Sequence, residues 1–125
     1  MEIWKDIIGY EGLYQVSNMG NVKSLDRWVK AKGNGKQFYA SQPIKIKYPN
    51  NYAYVFIYKN NKLKSHRVHR LVAKAFLPNP NNYPFVMHMD NDPKNNCVEN
   101  LQWGTNSMNQ KHAVATGIWN NQYTI

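Results

Sequence analysis

Cysteine is almost missing: Cys97 stands alone among 125 residues. That excludes an intramolecular disulfide and the multi-cysteine zinc knuckles that brace some small domains, and leaves a reduced, partly buried thiol as its role. No apolar run approaches a membrane span, and the N-terminus lacks the charged segment and apolar core of an export signal. The chain is therefore expected to be soluble and cytoplasmic, with no span through a membrane. Acidic residues are scarce as well, seven against sixteen Lys and Arg, giving a formal charge of +9 and a pI near 9.7. Such a surface attracts polyanions, with nucleic acid the leading partner and an anionic membrane the lesser one. Internal repeats and low-complexity tracts are absent too. A chain of 125 residues suits one folding unit, either a single compact domain or two small lobes sharing a core.

What is present in the first half is aromatic and β-branched. Gly12 to Leu25 places Ser17-Asn18-Met19-Gly20 between two strand-like runs, which predicts a hairpin or meander. Asn51 to Lys59 alternates Tyr52, Tyr54, Phe56 and Tyr58 with Ala53, Val55 and Ile57, then turns at Asn60-Asn61 into Lys62 to Val68. This predicts a second hairpin with one aromatic and one aliphatic face. Trp28 to Gln42 carries Lys30, Lys32, Lys36 and two glycines without a regular apolar period and reads as a basic loop.

From Arg70 the period becomes helical, pairing Leu71 with Ala75 and Val72 with Phe76 until Pro78 and Pro80 stop it. A strand over Val86 to Asp90, an Asx-rich loop over Asn91 to Asn96, a return strand near Leu101 to Trp103 and a helix over Asn106 to Thr116 follow. Gly117 is a natural stop for that helix. Trp103 and Met108 read as core residues. The expected fold class is α+β: a β-hairpin-rich module over 1–65, a second unit over 66–117 and a tail over 118–125.

The second unit carries the chemistry. VMHMDNDPKNNCVENLQWGTNSMNQKH spaces His88, Asn100 and Asn109 over a strand, loop, strand and helix. Hydrolysing a phosphodiester requires a base to activate water and a divalent cation to neutralise charge on the phosphorane and the leaving oxygen. His88 suits the first task and Asn109 the second.

The same residues carry a resemblance. EIWKDIIGYEGLYQVSNMGNVKSL is similar to the small N-terminal module of many phage and intron-encoded nucleases, and HRLVAKAFLPNP followed by VMHMDNDPKNNCVENLQWGTNSMNQKH resembles an HNH homing endonuclease core. The resemblance implies a ββα-metal fold and a metal-dependent DNA endonuclease, phage-encoded and working in the cytoplasm of a bacterial host. It would nick double-stranded DNA to leave a 5′-phosphate and a 3′-hydroxyl, as a monomer or weak dimer. In that scheme His88 is the general base, Asn100 braces the hairpin, and Asn109 offers an oxygen to Mg²⁺ or Mn²⁺. Many members place Asp or Asn directly before the histidine as a further ligand. Here that position is Met87, a poor ligand for a hard cation. Asp90 and His112 are the candidates to take its place. Asp90 serves equally as a cap for the loop, and His112, three residues after Asn109, serves equally as a solvated helix-end histidine. The alternative Met87 raises is a catalytically silent DNA-binding protein on an HNH scaffold. Many relatives carry a C-terminal DNA-reading module after the nuclease core; this sequence stops soon after Gly117, so the expectation is a specificity that is low, partner-dependent, or missing because the sequence is a fragment.

Arg67, His69, Arg70 and Lys74 cluster where the second hairpin meets the first helix and are candidates to clamp phosphate, alongside Lys23 and Arg27 in the first half. Any one of them could equally be a solvated side chain.

Overall fold

The computed structural model describes residues 1–30 and 32–108, in which hairpins follow one another until a helix leads into the last of them. Strands β1 (Trp4–Asp6), β2 (Tyr14–Ser17) and β3 (Val22–Ser24) form an antiparallel sheet in that order, with Val16 opposite Val22. The expected turn after Ser17 is closed by the Gly20 N–H, which donates to the Ser17 carbonyl at 3.1 Å. Gly20 takes φ +86°, a conformation that strains any L side chain.

The segment Trp28 to Gln42, expected as a loop, is instead a hairpin in which β4 (Arg27–Lys30) pairs antiparallel with β5 (Lys36–Tyr39). Trp28 and Phe38 sit directly opposite, ring centroids 5.1 Å apart. A cross-strand aromatic pair thus stabilises strands that add nothing to the core, and the lysines at 30 and 36 hide the alternation. The next hairpin is as expected: β6 (Tyr54–Lys59) and β7 (Lys62–Arg67) are joined by Asn60 and Asn61, at φ 53° and 61°. Two consecutive positive φ values match the right-handed twist of the flanking strands. Val55 and Ile57 are fully buried while Phe56 and Tyr58 face out.

Helix α1 (Val68–Phe76) starts directly after β7, two residues before the periodic signal begins. It buries Val68, Leu71, Val72 and Ala73, each Val or Leu contributing about 1.5–3 kcal/mol. The chain turns extended at Leu77, as the residue before Pro78 must. Strands β8 (Phe85–His88) and β9 (Leu101–Gly104) form the final antiparallel pair, with a 3-10 turn at Val98–Asn100 in the loop between them. Residues 106–108 are helical; the remainder of the helix expected to Thr116 lies outside the described residues.

A shared core joins Tyr14, Val16 and Val22 of the first sheet to Val55 and Ile57 of β6, to α1, and to Val86, Leu101 and Trp103 of the last hairpin. Trp103 belongs to it, its Nε1 donating to the Leu77 carbonyl at 3.1 Å. The fold is α+β. The division expected at residue 65 falls within β7, just before α1, and core residues stand on both sides of it.

Candidate active site

His88 ends β8 opposite Leu101 and is only 6% exposed. Its ring lies against His69 of the first turn of α1, centroids 4.9 Å apart, and Tyr52 flanks both rings at 6.2 and 5.8 Å. The three line a cavity of about 370 Å³ together with Arg67, Arg70 and Asp92.

One hydrogen bond fixes the state of His88. Its Nε2 lies 2.9 Å from Asn96 Oδ1, and Asn96 Nδ2 donates to the Lys94 carbonyl at 3.5 Å, so the amide turns its oxygen to the ring. A carboxamide oxygen only accepts, so Nε2 carries the proton and Nδ1 keeps the lone pair a base needs. Burial pushes the imidazole below its ordinary range, against the opposing pull of Asn96, Asp90 and Asp92. At neutral pH the ring is therefore unprotonated at Nδ1.

His69 corrects an expectation. Grouped by sequence with the phosphate-clamping residues, it is 5% exposed and pushed down to about 3, first by burial and then by His88, Arg67 and Arg70. It is uncharged at neutral pH and cannot act as a surface cation. Among the described residues its buried Nδ1 has no hydrogen-bond partner.

Asp90 and Asn100 tie the loop together. The Asp90 carboxylate accepts from the Asp92 N–H at 2.8 Å, from Asn100 Nδ2 at 2.9 Å and from Asn95 Nδ2 at 2.7 Å. Burial, which acts to raise its pKa, is outweighed by these donors, and the carboxyl is held below its usual range. Asn100 returns the contact, its Oδ1 accepting from the Asp90 N–H at 2.9 Å while Nδ2 also donates to the Asn95 carbonyl at 2.9 Å. Both side chains thus serve the loop from within. Met87 is 4% exposed; a Cβ added at Gly104 would lie 2.6 Å from its sulfur. Asn109 and His112 lie outside the described residues.

Of the basic candidates, Arg67 and Arg70 stand on the cavity wall with His88, and Lys74 lines an adjoining cleft with both arginines. Arg67 is held by Tyr54, its Nε donating to the phenolic oxygen at 3.2 Å, and Arg70 Nη1 donates to the Pro84 carbonyl at 3.0 Å. Lys23 lies over Trp4 and Arg27 over Tyr39, in the N-terminal hairpins and away from the cavity lining. Sequence reasoning missed Asn96, treated as plain loop, and the inward turn of His69. The only signal for Asn96 was its place in the Asx-rich loop, eight residues after His88.

Residues 2–58 match the NUMOD4 motif and residues 66–111 match the HNH endonuclease model. The DNA endonuclease I-HmuI of Bacillus phage SP01 is 35% identical over 118 residues, covering 94% of this chain and 60% of its own. HNH endonuclease L245 of Acanthamoeba polyphaga mimivirus is 46% identical over 68 residues, 54% of this chain and 21% of its own. A solved structure described as DNA binding and cleavage by the HNH homing endonuclease I-HmuI superposes with a TM-score of 0.74 over 95% of this chain and 62% of that one. The chain thus spans about 60% of I-HmuI and a smaller part of L245. With a NUMOD4 motif followed by an HNH unit, and with the fold of I-HmuI over nearly its whole length, the chain belongs to the HNH homing endonuclease family.

Proposed function

We propose that this chain is a metal-dependent DNA endonuclease of the homing type that hydrolyses one phosphodiester of duplex DNA per site, leaving a nick. The observation that carries the reading is the cavity wall on which His88, neutral and protonated at Nε2, stands beside Arg67 and Arg70. In that frame His88 takes the proton of the attacking water on Nδ1 while Nε2–H stays on Asn96, so the imidazolium that forms keeps an acceptor for its second proton. Arg67 and Arg70 hold the phosphate and face the charge that develops on it. Lys74, Lys23 and Arg27 extend the cationic surface along the duplex.

HNH nucleases are divalent-metal enzymes, so the donors at the site bear on the reading. Among the described residues no three of His, Cys, Asp and Glu come together. The cavity does present the hard oxygen of Asp92, the donor type Mg²⁺ and Mn²⁺ prefer. This fits a loosely held cation: Asn109 and Asp92 would hold it, with His112 or Asp90 as further ligands and water or substrate phosphate completing the shell. When bound, it supplies charge neutralisation at the phosphorane and the leaving oxygen. Product ends test the reaction: attack of water at phosphorus with the 3′-oxygen as the leaving group, protonated to a 3′-hydroxyl, gives a 5′-phosphate, so kinase labelling of the nick must require prior phosphatase treatment. The buried thioether of Met87 favours a second reading, a DNA-binding protein that does not cut, which binds duplex equally with and without His88.

A further inference from the structure

We infer that the turn between β2 and β3 is a positioning element of the active site, holding in place the loop residue that fixes His88. Three consecutive residues of that turn meet three consecutive residues of the loop in antiparallel order. The Asn18 carbonyl accepts the Val98 N–H at 2.8 Å, the Met19 carbonyl accepts the Cys97 thiol at 3.8 Å, and Gly20 lies against Asn96. A Cβ at Gly20 would stand 3.0 Å from Asn96 Cβ and 3.2 Å from its carbonyl oxygen. Position 20 is thus restricted to glycine by its own φ and by the side chain it supports.

The turn is rigid enough to serve. Ser17, fully buried, accepts from the N–H groups of Met19 and Asn21 through its hydroxyl, both at 3.1 Å. Asn18 is tied to the residue just before β1, its N–H donating to the Ile3 carbonyl at 3.0 Å and its Oδ1 accepting from the Ile3 N–H at 2.8 Å. On the other side Asn96 is 5% exposed and hands its oxygen to His88 Nε2. The path from Ile3 to His88 is thus continuous: N-terminal segment, turn, loop, amide, imidazole. The N-terminal unit thereby contributes to the orientation and tautomer of His88, beyond any contact it makes with DNA. The consequence for rate rests on the reading of His88 as the base.

Val98→Pro tests this with little other disturbance. Val98 is the first residue of the 3-10 turn, where proline is accommodated, and Cys97 is already extended at φ −64° and ψ 138°, as a residue before proline must be. The substitution deletes the N–H that reaches Asn18; Val98→Ala trims the same side chain and keeps it. Relative to Val98→Ala, Val98→Pro is expected to slow single-turnover cleavage about tenfold, with duplex affinity within about twofold. ¹⁵N NMR of the His88 ring should change from one tautomer, protonated at Nε2, to a mixture. Gly20→Ala should give the same NMR change, and supplies the test if the proline variant does not fold. An unaltered tautomer in the folded variants, with cleavage at the Val98→Ala rate, would overturn the inference. Were cleavage independent of His88 altogether, the reading of His88 as the base would fail while the NMR result still decided this one.

Discussion

Lowering the pH from 8 to 5 should destabilise the protein, and the contribution of His69 can be worked out. The imidazole is 5% exposed and pushed down to about 3, against 6.5 for a free histidine. The unfolded chain therefore binds more protons below pH 6.5, and stability from this group is complete above that value and lost as pH falls toward 3. At pH 5 the unfolded histidine is 1.5 units below its pKa, which at 1.36 kcal/mol per unit is a loss of about 2 kcal/mol. At about 4 °C per kcal/mol for a chain of this size, the melting temperature falls by about 8 °C from His69 alone. His88 is shifted in the same direction and adds to the loss. Urea midpoints at pH 8 and pH 5 measure it, with His69→Gln as the non-titrating comparison. Wild type should lose about 2 kcal/mol more than the variant between the two pH values. Equal losses would refute the burial argument and with it the packing of His69 against His88.

Other consequences are as direct. Asn100→Ala removes hydrogen bonds to the Asp90 N–H, the Asp90 carboxylate and the Asn95 carbonyl; at roughly 1 kcal/mol each it should cost about 2–3 kcal/mol, read by chemical denaturation. Lys30 and Lys36 lie directly opposite on the β4–β5 hairpin, and a Lys30→Gln, Lys36→Gln variant should reduce the slope of log K against log salt for duplex binding by about 1–2 if both contact phosphates. An unchanged slope would place the hairpin off the DNA. Met87→Asp should tighten Mn²⁺ binding measured by calorimetry, and no change would show that position 87 does not face the cation.

How much of this was legible in the sequence depended on the kind of signal. Tyr54 to Arg67 was readable because alternation and an Asn-Asn turn agree, and α1 because Leu71 with Ala75 and Val72 with Phe76 stand at helical spacing. The β4–β5 hairpin was not, because its cross-strand contacts, Trp28 with Phe38 and Arg27 with Tyr39, lie outside the core and its strands add no residue to it. In the site, the spacing of His88 and Asn100 around two adjacent strands could be read along the chain. Asn96 could not: its role arises from an amide orientation set by Lys94 and from packing on Gly20, 76 positions away in sequence. His69 was misjudged because a histidine next to Arg70 in a basic run looks like a surface cation, and only the packing of α1 on β8 turns it inward.

The central claim, that His88 is the base of a metal-dependent nuclease, is tested most directly on supercoiled plasmid incubated with Mg²⁺ or Mn²⁺, with EDTA, and with His88→Ala prepared identically. The account predicts conversion to the open-circular form in metal, none in EDTA, and loss of conversion in His88→Ala while duplex binding persists. Nicking by His88→Ala at the wild-type rate would contradict it.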